Sequence, residues 1–433
     1  MYQPVDAVEV SVWGMRVGAV ALDPASGYYA FEYFPDWIAR GIELAPLTMP
    51  ARPGVRVFPR LPAETFHRLP ALLADSLPDD FGNALIDAWL AAQGVRRGDV
   101  SPLDRLAYMA SRAMGALEYR PTRGPRNRVP SAVELSDLVE GARSMLGGQF
   151  ADDRDTRSAL QSLIQVGTSA GGARAKAVIA WNPESGEIRS GQLAADPGFE
   201  YWLIKLDGIG TDRELGASSS YGRIEYAYSL MAGAAGIEMT ECRLLEENGR
   251  AHFMTKRFDR GADGEKLHTL TLCDLAEIDF RQRGVNDYAQ LFGAAGELGL
   301  DEASREQLFR RMTFNVLARN CDDHTKNHSF LLAGPDAEWR LSPAYDITFA
   351  YNPKGDWTYQ HLMAVNGRFA GIGRDDLLAV ADRFLVPRPT AVIAEVEAAI
   401  GQWEVHAASA GVSRELADEI RGTFPTGLGD KKP

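Results

Sequence analysis

The sequence predicts an α+β fold, and three observations predict it. A period-two apolar pattern is confined to residues 7–34 and gives way to helical spacing up to residue 114. A second group of short β-type runs lies between Thr168 and Arg260, with one helix among them. After Ala276 the apolar spacing is mostly helical. At 433 residues the chain exceeds what one compact core holds, so two or three domains are expected. The divisions expected are 1–130, a small sheet plus helices; 131–255, a second β-rich lobe; and 256–433, a mostly helical lobe.

Taken in order, Val8-Glu9-Val10-Ser11-Val12 alternates as a half-buried strand does, and Asp23-Pro24-Ala25-Ser26-Gly27 is a turn before Tyr28–Tyr33. Helices are predicted over Asp80–Gln93, Pro102–Met114 and Ser136–Met145. The Pro/Gly-punctuated basic stretch Arg120–Pro130 reads as a solvated linker. Strands are predicted at Ala177–Trp181, Tyr201–Lys205 and His252–Thr255, with a helix over Arg223–Ala235. Further helices are predicted over Tyr288–Gly296, Arg305–Arg319, Arg374–Phe384 and Thr390–Ala408, and a frayed tail from Phe424.

The net charge of −13 repels nucleic acid over the surface as a whole. Three cysteines without paired spacing indicate a reducing compartment and no disulfide framework. The N-terminus lacks the basic start and apolar core of a signal peptide, and no apolar run approaches the ~20 residues needed to span a bilayer. A cytoplasmic location is expected.

The chemistry concentrates in Asn320-Cys321-Asp322-Asp323-His324-Thr325-Lys326-Asn327 and in Ser342-Pro343-Ala344-Tyr345-Asp346. Asp322 and Asn327 are five residues apart, the separation of catalytic Asp and metal-binding Asn in protein-kinase catalytic loops, and Asp346 is the candidate for the later metal-binding Asp. Three weaker signals precede them in kinase-like order. Gly167-Thr168-Ser169-Ala170-Gly171-Gly172-Ala173-Arg174-Ala175-Lys176 is a glycine-containing loop opening a strand, with Ala173 where a P-loop needs lysine. Lys205 ends an apolar run, where an ammonium calls for an anionic partner such as a phosphate or else snorkels to water. Glu225 in the next helix is placed to orient it. Met254-Thr255-Lys256-Arg257-Phe258-Asp259-Arg260 follows the third strand, where a kinase hinge meets adenine, although a charged strand exit gives the same pattern. A divalent-metal hydrolase using Asp322, Asp323, His324 and Asp346, a small-molecule kinase for a sugar or antibiotic, and an inactive binding module are the alternatives. Seven histidines in the chain leave the hydrolase few ligands.

On these residues the chain resembles the HipA family of toxin–antitoxin serine/threonine kinases. The resemblance is carried by Gly172-Ala173-Arg174-Ala175-Lys176 after Ser169, by Lys256-Arg257-Phe258-Asp259-Arg260, by Asp322-Asp323-His324-Thr325-Lys326-Asn327 and by Tyr345-Asp346-Ile347. The first 130 residues, through Gly115-Ala116-Leu117, resemble that family's amino-terminal subdomain. The resemblance implies a protein-kinase-like two-lobed fold with an added N-terminal α/β subdomain and a mostly helical C-terminal lobe. It implies ATP and magnesium as cofactors, Asp322 as base with His324 and Lys326 supporting the loop, and Asn327 and Asp346 as metal ligands. Ser169, Gly171, Gly172, Ala173, Lys176, Lys205, Glu225, Lys256 and Phe258 would meet the nucleotide or orient groups that do. Ser169 would also be phosphorylated by the kinase itself. A helix-turn-helix antitoxin of the HipB type and a protein substrate such as an aminoacyl-tRNA synthetase are the implied partners, with DNA contacted only through the antitoxin. Departures from the family pattern are Arg174 in place of the usual Gln, Asp323 where a small residue is frequent, and Lys256 in place of an acidic residue.

Overall fold

Val8, Val10 and Val12 are all fully buried, so the first alternating run turns one face into the core as its period requires. Strands β1 (Ala7–Val12), β2 (Met15–Asp23), β3 (Tyr28–Tyr33) and β4 (Leu117–Arg120) form an antiparallel sheet in the order β3-β2-β1-β4. The β1–β2 hairpin turns on Trp13 and Gly14, at φ 50° and 73°, the left-handed pair that suits a two-residue hairpin. A tryptophan is held there because its indole donates to the Lys266 carbonyl at 2.9 Å.

The computed structural model describes residues 2–124, 133–146, 162–164, 174–192, 195–209, 211–212, 216–217, 220–261 and 264–425. The expected sites at Thr168, Ser169, Gly171, Gly172 and Ala173 lie outside the described residues. The chain divides into two compact units. The first comprises Met1–Gly210, Met254–Leu270 and Leu331–Glu338; the second comprises Thr211–Phe253, Thr271–Phe330 and Trp339–Pro433.

In the first unit, the helix Asp80–Ala91 is capped by Asp79, whose carboxylate accepts from the Gly82 amide at 2.7 Å. The helix Pro102–Met109 starts in a Ser101–Asp104 capping box. It stops short of the predicted Met114 because Ala110 takes φ 49° and turns the chain toward β4. A second sheet is built on β5 (Lys176–Trp181), every residue of which is buried. β6 (Ile188–Ser190) and β7 (Glu200–Lys205) pair with it antiparallel on either side. The end of the strand Arg250–Lys256, from Met254, lies beside β7. Burial on both faces explains why β5 reads as a continuous apolar run.

The second unit is mostly helical. The helix Tyr221–Ala234 packs so closely on the strand Arg250–Lys256 that Gly222 leaves no room for a Cβ against the Ala251 carbonyl. Its Tyr228 sits edge-on to Phe314 and Trp403, and the phenol donates to the Ala318 carbonyl at 2.7 Å. The helix Glu302–Leu317, capped by Asp301, is buried continuously from Leu308 to Leu317 and delivers the chain directly into Asn320–Asn327. The single helix predicted over Thr390–Ala408 is two, Pro389–Ile400 and Trp403–Ser409. The break at Gly401-Gln402 lets Trp403 turn inward to Tyr228 and donate to the Ala417 carbonyl at 2.9 Å. Among the described residues no helix is long and apolar enough to cross a membrane.

Candidate active site

Asp322 and Asp323 are consecutive in an extended loop, so their side chains leave the backbone on opposite sides. Asp322 keeps 39% of its side-chain surface open, while Asp323 is fully buried. Of the two, only Asp322 is open to solvent. Asp323 accepts from the Tyr288 hydroxyl at 2.9 Å, from His361 Nδ1 at 3.0 Å and from the Leu362 amide at 2.8 Å. Asn315 donates to the Tyr288 oxygen at 2.9 Å, and Asn320 donates to Asn315 at 2.9 Å. The loop is therefore bolted to the preceding helix by a chain of buried polar groups. Burial would favour a neutral His361, but the Asp323 carboxylate outweighs it and the ring is pushed up to about 10. The buried Asp323 carboxylate thus favours the protonated ring. A four-ligand metal centre of Asp322, Asp323, His324 and Asp346 has no third carboxylate to use, because Asp323 is turned into the interior.

Around Asp322 stand His324, whose Nε2 is 3.8 Å from Oδ1, and Trp357, whose indole N–H donates to Oδ1 at 2.7 Å. The His324 ring lies between those of Phe280 and Trp357, at 5.2 and 6.5 Å. Burial of the carboxyl raises the Asp322 pKa above the ordinary carboxylate range. His324 and Trp357 oppose that rise, while Asp346 and Asp323 add to it. Solvent on the open side moderates the rise. Lys326 extends away from Asp322 to Asp274, at 3.2 Å, and its ammonium lies 5.7 Å from the Phe280 ring. Thr271 donates to the same Asp274 oxygen at 2.9 Å. The Lys326 ion pair ties the loop to Asp274. His328 is neutral, its pKa driven down to about 3 by burial.

Asn327 donates through its amide nitrogen to the Asp322 carbonyl at 2.8 Å, which leaves the amide oxygen as its acceptor. Asp346 takes φ 53°, a left-handed conformation that aspartate tolerates better than most residues and that costs about 1 kcal/mol or more. Bonds from this residue and its neighbours tie the segment to the loop. Asn320 Nδ2 reaches the Asp346 carbonyl at 3.5 Å, the Tyr345 hydroxyl donates to the Lys326 carbonyl at 2.7 Å, and the Cys321 amide donates to the Ala350 carbonyl at 2.9 Å. Upstream, buried Arg311 holds the Ser342 carbonyl at 2.8 Å. Asp322, Asn327 and Asp346 are thereby brought together in one unit. Among the described residues no group of three or more His, Cys, Asp and Glu side chains forms a metal site.

The remaining expected residues are placed as follows. Lys176 and Lys205 are cross-strand partners at one end of the β5–β7 pair. Lys176 is buried and ion-paired with Asp79 at 2.8 Å, which offsets the repulsion between two ammonium groups. Lys256 pairs with Glu200 at 2.6 Å beside the Trp202 ring. Phe258 is half-buried, and its neighbours Arg257 and Asp259 are buried in an ion-pair network. Glu225 is buried in the Tyr221–Ala234 helix. Lys205 belongs to the first unit and Glu225 to the second. Sequence reasoning missed Trp357, His361, Tyr288 and Asn315. Trp357, His361 and Tyr288 lie 35, 38 and 35 residues from the aspartates they contact, and Asn315 lies five residues before Asn320, with no motif of their own.

The family model of the HipA-like C-terminal domain matches residues 168–403, more than half of the chain, and that of the HipA N-terminal domain matches residues 8–120. No curated protein matches the chain. Among solved structures, the Shewanella oneidensis MR-1 toxin–antitoxin complex of HipA, HipB and operator DNA aligns with a TM-score of 0.66 at 17% identity. The alignment covers 97% of this chain and 95% of that one. The Helicobacter pylori proinflammatory kinase CtkA aligns at TM-score 0.33 and 14% identity, over 52% of this chain and 88% of that one, too weakly to bear on the argument. The mixed sheets and helices make an α+β fold similar to that of the Shewanella structure, and the chain belongs to the HipA family.

Proposed function

We propose that the chain is an ATP-dependent serine/threonine protein kinase acting as the toxin of a type II toxin–antitoxin pair. The observation that carries this reading is the solvent-facing Asp322, held on a rigid loop together with Asn327 and a left-handed Asp346. Asp322 takes the proton of a serine or threonine hydroxyl as that oxygen bonds to the terminal phosphorus of ATP; the bond from that phosphorus to the bridging oxygen breaks and ADP leaves. The Asn327 amide oxygen and the Asp346 carboxylate are hard donors of the kind that hold magnesium with few protein ligands, and magnesium when bound neutralises phosphate charge. Lys205 contacts the phosphates, and the Lys256–Phe258 segment meets the adenine. His324 and Lys326 keep the loop in place. Ser169 is the site of autophosphorylation, which adds roughly −1.5 to −2 charge beside the phosphate loop and turns the enzyme off.

The Shewanella complex contains HipB and operator DNA, and a helix-turn-helix antitoxin of that type fits a chain of net charge −13 that leaves DNA contacts to its partner. The resemblance to the HipA family suggests an aminoacyl-tRNA synthetase of the glutamyl type as the protein substrate. The test is a phosphoproteomic comparison of cells expressing the chain and its Asp322→Ala form. Phosphosites on cellular proteins and on Ser169, present only with wild type, are the expected result. Identical phosphoproteomes would sink the reading.

A further inference from the structure

We infer that the segment Trp357–Met363 is a positioning strap for the catalytic base, and that the Trp357 indole fixes which oxygen of Asp322 receives the proton. The inference rests on the kinase reading and adds residues that no loop motif contains. One short stretch grips both aspartates. Trp357 donates to Asp322 Oδ1 at 2.7 Å, and four residues later His361 meets Asp323 at 3.0 Å while the Leu362 amide donates to it at 2.8 Å. The far side of the His361 ring faces Cys321 at 3.8 Å, one residue before the base. The strap's approach is itself anchored, since the Cys321 amide donates to the Ala350 carbonyl and the Ala350 amide donates to the Arg319 carbonyl at 3.1 Å.

The consequence for Asp322 is geometric. A carboxylate on an exposed loop rotates freely about its last torsion, and either oxygen can face the substrate. With Oδ1 committed to a fixed indole donor, Oδ2 is left as the proton acceptor, and the carboxylate plane is set before substrate arrives. Pre-set orientation of this kind is what rate enhancement by positioning requires. The Asp323–His361 pair contributes rigidity beneath it, as a fully buried ion pair whose partners have no alternative hydration. Trp357 is therefore a positioning residue, acting through Asp322 rather than on substrate.

The test uses the full chain with magnesium and ATP, measuring ADP release, and compares Trp357→Phe with Trp357→His. Phenylalanine keeps an aromatic ring and removes the donor. Histidine keeps an N–H two bonds beyond the ring attachment, the place that the indole nitrogen holds. Loss of a hydrogen bond to a charged group corresponds to about 10- to 100-fold in rate. Trp357→Phe is expected to lower kcat by that factor with KM for ATP unchanged, and Trp357→His to recover most of it. Equal loss in both variants would assign Trp357 a packing role, and full activity of Trp357→Phe would overturn the inference alone. A wild-type chain with no Asp322-dependent turnover would overturn the kinase reading and this inference with it. Independently of turnover, the Trp357 indole proton resonance, identified by its disappearance in Trp357→Phe, should shift in Asp322→Ala; an unmoved resonance would also refute the contact.

Discussion

Replacing Asp259 by asparagine removes one charge from a fully buried site. The carboxylate is fully buried and accepts from Arg257 Nε at 2.8 Å, Arg257 Nη2 at 2.7 Å, Arg260 Nη1 at 2.8 Å and the Gly115 amide at 2.8 Å. The Arg257 and Arg260 side chains are 1% and 7% exposed. Burial works against the carboxylate's charge, but Arg257 and then Arg260 outweigh it and hold its pKa far below the ordinary range. In Asp259→Asn two guanidinium groups stay buried without a counter-charge. Breaking a buried pair from one side costs about 3–5 kcal/mol. At about 2–4 °C per kcal/mol for a unit of this size, the unfolding midpoint should fall by about 6–20 °C. The sign of the pH dependence follows from the depressed pKa. The stabilisation is complete above the unfolded carboxylate's pKa, and is lost only as pH falls through the lower, folded value. The difference between wild type and variant should therefore be flat from pH 5 to pH 8, followed by circular dichroism on heating. A midpoint within 2 °C of wild type, or a difference that changes across neutral pH, would refute the reasoning.

Two further outcomes are expected. The folded pKa of His361, about 10, lies above the ordinary imidazole value, so its pair with Asp323 stabilises fully below about pH 6.5 and fades as pH rises toward 10. Denaturant titrations of wild type across that window should show falling stability, and His361→Gln should flatten the slope; parallel slopes would rule the pair out as its source. Asp346→Asn should keep the fold and lose magnesium-dependent ATP turnover by at least about 100-fold, measured by ADP release, because a hard cation loses its carboxylate ligand. Unchanged turnover would remove Asp346 from the metal site.

The sequence alone determined the order of the elements. Alternating valines in β1, a doubly buried run in β5 and the helical spacing before Asn320 are local patterns, and local periodicity is set by backbone geometry. That Asp322 and Asn327 lie together was equally legible, because both residues belong to one short loop, where Asn327 bonds the Asp322 carbonyl. Tertiary structure alone decided which of two adjacent aspartates faces solvent, since Asp322 and Asp323 are the same residue type and differ only in what packs against them. It also decided that Lys176 belongs to Asp79, 97 residues away, and that Arg257-Phe258-Asp259-Arg260 is tied to Gly115 rather than left as a charged strand exit. Trp357 and His361 carry no spacing relative to the loop that a linear pattern would mark. Their roles arise because a buried carboxylate needs donors from whatever segment the fold brings to it, and that segment is chosen by packing over the whole unit.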